Sequence, residues 1–357
     1  MISHTDQRVF AGSRIPQTNY LTRTPSVAAN YKQVITTEQG FGSVKAKTND
    51  NRDHANGKGQ PTSQWVDSHE TERKFEIQVC SEEIGRPLLD ALGKVVSSQP
   101  DAANVPAARR HLFTPMDLSL SKQLPARSFI EQDGDAIDRI LCSMVAESLE
   151  ISGDDIGRIM ASVSYAGSGE IIEPSGVVIT LLDALHFFYN SQAVMTVDDG
   201  GGEFDYSAGL LLNSWKLSIT NELLKDQGYR PGARRYLEAA NPESGALRSE
   251  MLVARQTFGG GFNVRLAAGS KELTALRAQT PLAWKVDLLG ELIGSHGGTD
   301  YCHQLTIEVV KAQYKTTEYG NKGGIVSVDV DFNPLADIAT GDQLKITLQN
   351  TVASYTV

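Results

Sequence analysis

The sequence has few cysteines and no pair of them that would indicate a disulfide framework. Cys80, Cys142 and Cys302 are odd in number and lie far apart, without a CxxC spacing. Cysteines used in this way argue against a secreted, disulfide-stabilised scaffold and favour reducing surroundings.

Long apolar segments are also missing. The longest such run, residues 176–189, is interrupted by Asp183 and His186 and is too short to cross a bilayer. The first twenty residues are polar and contain no signal-peptide core. We therefore expect no membrane segment, and a chain that is soluble and intracellular when it is made.

Positive charge and aromatic side chains are scarce. The 33 lysines and arginines are outnumbered by 43 aspartates and glutamates, which gives a net charge of −10. This balance argues against nucleic-acid binding by broad charge neutralisation and permits a surface that repels phosphate. Aromatic residues make up 7% of the chain, and Trp65, Trp215 and Trp284 are isolated in sequence. That scarcity argues against a binding module for carbohydrate or a host receptor.

The sequence has no motif that predicts a metal site. In "HGGTDYCH", His296, Cys302 and His303 lie close together, but a structural zinc site usually needs a fourth ligand in a paired spacing. The acidic stretches 133–138 and 198–205 lack the EF-hand pattern, and we interpret them as solvated turns. We therefore predict no metal and no cofactor.

Catalytic motifs are absent as well. The glycines of "FGGGF" (258–262) are not followed by the lysine and hydroxyl residue of a phosphate-binding loop, so we interpret this stretch as a flexible loop. No G-x-S-x-G elbow occurs. We predict that the protein is not an enzyme. A hydrolase whose acid and base come from distant positions stays open as an alternative.

What the sequence does contain is strand-like alternation. Leu149 and Ile151 share one face of a predicted strand, whereas Ser148, Glu150 and Ser152 share the other. Period-two alternation is typical of half-buried antiparallel strands. Similar patterns continue to the C-terminus, and 32 glycines suit many turns. We predict a mainly β protein, an antiparallel β-sandwich or barrel with one or two short packed helices and long loops.

Two segments interrupt the strand pattern with helical spacing. Residues 81–96 are expected to begin a helix with Ser81 as its N-cap, and residues 270–278 are expected to form a second helix. Residues 97–127 contain four prolines and are interpreted as a long connection.

The chain divides by composition into two parts. Residues 1–64 are predicted to be an N-terminal arm, extended or partly disordered, and residues 65–357 a β domain. Within that domain, segments 140–169 and 209–223 have apolar and polar positions that superimpose, which suggests an internal duplication. Chance similarity between two amphipathic strands is the alternative.

The order of these features resembles that of bacteriophage tail tube proteins. The segments that carry the resemblance are "WVDSHETERKFEIQVCSEEIGRPLLDALG", "LCSMVAESLEISGDDIGRIMASVSYAGSG", "GLLLNSWKLSITNEL" and the closing "GGIVSVDVDFNPLAD" with "GDQLKITLQN". The likeness covers roughly residues 65–357 and depends on order and spacing, because each motif is a loose strand pattern. It is closest to the major tail proteins of phages with long, flexible, non-contractile tails.

The resemblance implies a β-sandwich subunit that forms hexameric rings, which stack into a hollow tube for DNA ejection. It implies as partners other copies of the chain, a tape measure protein, a tail terminator and tail-tip or baseplate proteins. Double-stranded DNA would pass through without specific binding. The implied location is the phage tail of the virion, assembled in the cytoplasm of the bacterial host.

The resemblance also suggests roles for individual residues. The expected lumen-facing residues are Ser148, Glu150, Ser152, Asp329 and Asp331. The candidates for contacts between rings or subunits, drawn from the arm and the long connection, are Asn49, Arg52, His54, Lys58, Arg109 and Arg110. A neutral or acidic lumen would let DNA slide, whereas a basic one would hold it.

Other functions stay open. One is a related ring protein of the same particle, such as a tail terminator, a baseplate hub or the inner tube of a contractile tail. A less favoured one is a β-sandwich module that binds a receptor or a carbohydrate.

Overall fold

Strands make up most of the fold of this chain, as a computed structural model shows. The structure describes residues 8–37, 40–50, 63–134, 136–154, 157–179, 185–198, 200, 202–208, 211–230, 245–266, 272–322, 325–338 and 341–356. The strands are β1 (Arg8–Ser13), β2 (Tyr31–Gln33), β3 (Ser43–Asp50), β4 (Gln64–Gln78), β5 (Gly93–Ser98), β6 (Arg109–Pro115), β7 (Ala126–Asp133), β8 (Ile137–Asp154), β9 (Met160–Gly167), β10 (Ile171–Ile172), β11 (Ala193–Asp198), β12 (Glu203–Asp205), β13 (Leu212–Leu223), β14 (Val253–Arg265), β15 (Leu282–His296), β16 (Thr299–Lys322), β17 (Ile325–Leu335) and β18 (Leu344–Asn350). Two α-helices lie within the described residues, α1 (Gly85–Leu92) and α2 (Glu272–Ala278).

The strands form two antiparallel layers that share one long strand. In the first layer, hydrogen-bonded neighbours run in the order β3, β4, β9, β8, β13, β14, β17 and the second half of β16. In the second layer, the order is β12, β11, β15, the first half of β16, β18, β6 and β5. The predicted β-sandwich class is confirmed, and over the described ranges the sheet does not close into a barrel.

Apolar side chains from both layers meet in one core. The ring of Trp215 on β13 lies 6.4 Å from that of Trp284 on β15, and Trp284 lies 5.1 Å from Phe332 on β17. The apolar positions predicted from alternation, Leu149 and Ile151, are buried in the same core. Period-two alternation therefore identified which face of β8 packs inward.

Both predicted helices are present, but α1 begins later than expected. It starts at Gly85, so the prediction that Ser81 caps it was wrong. The hydroxyl of Ser81 instead lies 2.7 Å from Nδ1 of His303 on β16. Gly93 ends α1 with a left-handed φ of 90°, and its N–H donates to the carbonyl of Leu89.

The arm and the connection are more ordered than the sequence indicated. β1 pairs with β7, and β7 pairs with the first half of β8, while β3 pairs with β4. Ala11 and Tyr31 are buried. The described part of residues 1–64 is therefore joined to the β domain by strand pairing. The boundary at residue 64 stays a prediction. The expected connection 97–127 contains β6, which lies between β5 and β18.

The stretch "FGGGF" is not a flexible loop, as its glycines suggested, but the middle of β14. Gly260 faces the core, where a Cβ would overlap the ring of Phe332. Gly259 faces the opposite side, where a Cβ would lie 3.0 Å from the hydroxyl of Ser218. The close approach of the Phe332 ring, rather than a turn, explains the glycine at position 260.

We expect Gly260→Ala to lower the free energy of unfolding by about 1–3 kcal/mol, because the fully buried Phe332 ring must shift to accommodate the new methyl group. Gly259→Ala is the matched control, and its loss should be smaller because only a short, movable side chain is close. Equilibrium unfolding in urea measures both. Equal losses would contradict the assignment of opposite faces.

Candidate functional site

The five lumen candidates from the sequence lie together on one exposed surface. Ser148, Glu150 and Ser152 point to the outer side of β8, and Asp329 and Asp331 to the same side of β17. The strands between them are β13 and β14. The structure thus brings together residues that are about 180 positions apart in sequence.

The strand register places polar or small residues in rows across this surface. One row runs from Ser152 on β8 through Lys216 and Gly261 to Asp331 and then Thr316 on β16. We call the whole surface the polar face. Its members are Ser148, Glu150, Ser152, Ser162, Ser164, Ser214, Lys216, Ser218, Thr220, Thr257, Gly259, Gly261, Asn263, Thr316, Glu318, Asp329 and Asp331.

Alternate residues on the same strands form the buried side. Leu217 and Ile219 on β13 are buried, as are Phe262 and Val264 on β14 and Val330 on β17. Six adjacent strands, from β9 to the second half of β16, therefore turn their apolar side chains to the core and their polar side chains to solvent. Few residues with long side chains interrupt the polar face, because most of its members are serine, threonine or glycine.

The charges of the polar face are mainly negative and partly neutralised. Among its members, Glu150, Glu318, Asp329 and Asp331 provide four carboxylates and Lys216 the one cation. The same side of these strands continues to Asp154, Glu222, Arg255 and Arg265, so acids still outnumber bases. The Nζ of Lys216 lies 3.4 Å from Oδ1 of Asp331, and both side chains are about half exposed. The Nδ2 of Asn263 donates to Oδ1 of Asp329 at 2.5 Å. Lys216 is thus held by an acid and does not make the surface basic.

The polar face ends at an open strand edge. Within the described residues, no strand pairs with the outer edge of β16 from Thr316 to Lys322. Beside this edge, three apolar residues continue the buried side beyond the core and remain exposed. They are Leu266, Tyr319 and Val326, with 44%, 55% and 49% of their surfaces accessible. We call these three residues the overhang.

The predicted contact residues are dispersed. Asn49 is exposed on β3, where its side-chain amide donates to Asp67. Arg109 and Arg110 lie on β6 of the second layer; Arg109 donates to Gln99 at 2.9 Å and Arg110 to Gln349 at 3.3 Å. Arg52, His54 and Lys58 lie outside the described residues. Their roles at an interface stay predictions.

The two segments with superimposable patterns are neighbours in the sheet. β8 and β13 pair antiparallel, with Leu149 opposite Ile219 and Ile151 opposite Leu217. Each of these strands also pairs with the next one along the chain, β9 or β14. This arrangement brings the two proposed repeats side by side, and the duplication itself stays a hypothesis.

A second cluster, which sequence reasoning missed, lies where the segments before α1 and β11 meet β16. Candidate ligand atoms of Glu82, His186 and His303 all lie within 4.8 Å of one another. Oε1 of Glu82 is 2.5 Å from Nδ1 of His186, and the two imidazole rings stack with centroids 4.1 Å apart. Nε2 of His186 also lies 3.6 Å from Oε2 of Glu291 on β15.

Burial and neighbouring charges set the protonation of this cluster. Burial lowers the pKa of His303, and the adjacent His186 lowers it further, so neutral imidazole is favoured. Burial acts to raise the pKa of Glu82, but hydrogen bonds from the ring and backbone N–H of His186 outweigh it, and the pKa lies below its ordinary value. At neutral pH the cluster therefore contains a carboxylate and at least one neutral imidazole.

The sequence pointed to a different trio. Cys302 and His303 are consecutive on β16 and so point to opposite faces of the strand. His296, at the end of β15, is exposed and its Nδ1 lies 3.0 Å from Oδ2 of Asp101. Only His303 of that trio joins the cluster, whose other members come from segments 104 and more residues apart.

Two comparisons with known proteins found no match to the chain. No model of a protein family matches it, and no curated protein matches it either. Neither helix in the described ranges has the length and apolar character needed to cross a membrane.

Proposed function

We propose that this protein is a structural subunit of a phage tail tube, which assembles as stacked hexameric rings into a hollow conduit for DNA ejection. The observation that supports this best is the polar face. Six adjacent strands expose small polar side chains on one side and bury apolar ones on the other. Such a sheet could line a water-filled channel with its polar side, while its apolar side packs on the core of the subunit.

The open edge of β16 and the overhang support assembly with other copies of the chain. An unpaired strand edge next to exposed apolar residues is a hazard for a protein that remains a monomer. If neighbouring copies pair at this edge, the polar faces continue from subunit to subunit and the edges disappear, as in a closed barrel. Ring closure would in this way bury both the edge and the overhang.

The charges of the polar face suit a passage for DNA. Duplex DNA binds to surfaces that provide cations to replace its counterions. The polar face offers one lysine, paired with Asp331, and three further carboxylates. Along the same side of β14, Arg255 lies 3.6 Å from Glu222, and Arg265 is the remaining cation. A lumen of this composition would repel the DNA phosphates or bind them only weakly, and DNA could move through without stable binding.

Negative-stain electron microscopy of the purified protein at rising concentration, together with light scattering, tests the proposal. We expect hollow tubes or stacked rings with sixfold end views, because the open edge and overhang are available on every copy. Added tail-tip components should start growth if the free protein nucleates slowly. Rings that never stack would instead indicate a terminator or hub, and a monomer even with those components would contradict self-assembly.

A further inference from the structure

We propose that Glu82, His186 and His303, joined by Glu291, form a binding site for a divalent transition-metal ion of the zinc class. Two imidazoles and two carboxylates are a ligand set that suits Zn²⁺. The three central residues already have their ligand atoms within 4.8 Å of one another. Tetrahedral bonds of about 2.0–2.1 Å separate ligand atoms by about 3.3 Å, so the ligand atoms that are farthest apart would approach each other by up to about 1.5 Å.

The hydrogen bonds around the cluster resemble the outer contacts of a metal site. Nδ1 of His303 lies 2.7 Å from the hydroxyl of Ser81, which leaves Nε2 of His303 available as a ligand. The carbonyl of Ser81 accepts a hydrogen bond from Nδ2 of Asn350 at 2.5 Å, and Asn350 is fully buried. His303 is therefore fixed by a chain of contacts that reaches into the core.

The remaining ligands have the freedom that binding requires. The stacked rings of His186 and His303 are tilted by only 14°, so one ring must turn for both nitrogens to point at one ion. His186, with 36% of its side chain exposed, has room to turn. Glu291 is 77% exposed on β15 and already lies beside Nε2 of His186. It can therefore complete the fourth position without moving any core residue.

Such an ion would add a link between four parts of the chain that strand pairing and hydrogen bonds already bring together. Glu82 precedes α1, His186 lies in the segment before β11, and the other two ligands lie on β15 and β16. Binding in the folded state alone would stabilise the protein in proportion to the logarithm of the free metal concentration. The ion would thus stabilise the fold by linking these four segments, and none of its ligands belongs to the polar face.

The test is isothermal titration of ZnCl₂ into tag-free, chelator-stripped protein, combined with thermal unfolding. We expect one ion per chain and a higher midpoint of unfolding with zinc, reversed by a chelator. His186→Asn should abolish both effects, and Glu291→Gln should weaken binding at least tenfold. With Co²⁺ in place of Zn²⁺, a visible absorption band typical of four-coordinate cobalt should appear in the wild type and not in His186→Asn.

The matched control is His296→Asn, which removes an exposed histidine on β15 outside the cluster and should leave zinc binding unchanged. The partly exposed His186 and Glu291 are preferred to the buried His303, because their replacement should not disturb folding. Circular dichroism verifies that each variant is folded. Absence of stoichiometric binding, or equal binding by wild type and His186→Asn, would overturn the proposal whether or not the protein forms tubes.

Discussion

Replacing Asp90 by alanine is expected to lower the free energy of unfolding by about 3–5 kcal/mol, the usual cost of removing one partner of a buried ion pair. Asp90 on α1 is completely buried, and both of its carboxylate oxygens lie 2.6 Å from Nε of Arg127 on β7. The alanine would leave the guanidinium of Arg127, which is 1% exposed, without its counterion.

The neighbours of this pair explain why the loss should be so large. The hydroxyl of Tyr165 on β9 donates to Asp90 at 3.0 Å, and Nη1 of Arg127 donates to the carbonyl of Ser13 at 2.7 Å. Burial raises the pKa of Asp90, while Arg127 acts in the opposite direction. The pair therefore joins α1, β1, β7 and β9 through groups that have no access to water.

Two further variants separate the ion pair from its surroundings. Arg230→Gln, which removes an exposed partner of Glu250, should change stability by no more than about 1 kcal/mol. The double variant Asp90→Leu with Arg127→Met should recover most of the loss, because it leaves no unpaired buried charge. Denaturant unfolding measures all three. A loss below about 1 kcal/mol for Asp90→Ala would show that water or a rearranged partner compensates Arg127.

The sequence predicted the class of the fold and the two sides of its strands. Alternation around Leu149 and Ile151 indicated the buried side correctly because burial in a sheet follows the period of the strand itself. The helix boundary was misplaced because Ser81 has the character of an N-cap, yet its hydroxyl contacts a histidine 222 residues away. Local signals cannot report a contact of that kind.

The candidate sites depended even more on long-range pairing. That Ser152, Lys216 and Asp331 share a row follows from the order β8, β13, β14, β17, which no local pattern specifies. Alternation did predict that each strand had a polar side, so the individual residues could be proposed. The cluster of Glu82, His186 and His303 could not, because its members come from separate turns and strands and have no spacing in common.

The N-terminal arm shows the same limitation of local sequence signals, because here strands were overlooked. β1 and β2 were missed because they are short and lie in a polar sequence, where alternation over a few residues is a weak signal. They are held by pairing with β7 and by burial of Phe10 against Phe75 and Phe129, at ring distances of 4.9 and 5.3 Å. Tertiary contacts, rather than local preference, therefore decide their structure.

The double variant Tyr319→Lys with Val326→Lys is expected to prevent self-assembly while leaving the subunit folded. Both side chains are about half exposed in the single chain, so their replacement should change stability by at most about 0.5 kcal/mol each. In the assembled ring that we propose, they would be buried against the next copy. Because only about half of each side chain is left to bury, losing that burial would then cost about 0.7–1.5 kcal/mol for each residue, before the cost of removing a lysine from water.

These costs correspond to roughly threefold to tenfold weaker association for each residue, and burial of the two lysine charges at every contact between copies would weaken it further. Light scattering and electron microscopy should therefore detect no tubes at concentrations where the wild type forms them, with tail-tip components included if the wild type requires them. Leu120→Lys is the matched control, because Leu120 is 85% exposed and distant in sequence from the overhang. It should assemble normally. Tubes formed equally well by the double variant would mean that neighbouring copies do not meet at the overhang, and the closure of the polar face would need a different strand edge.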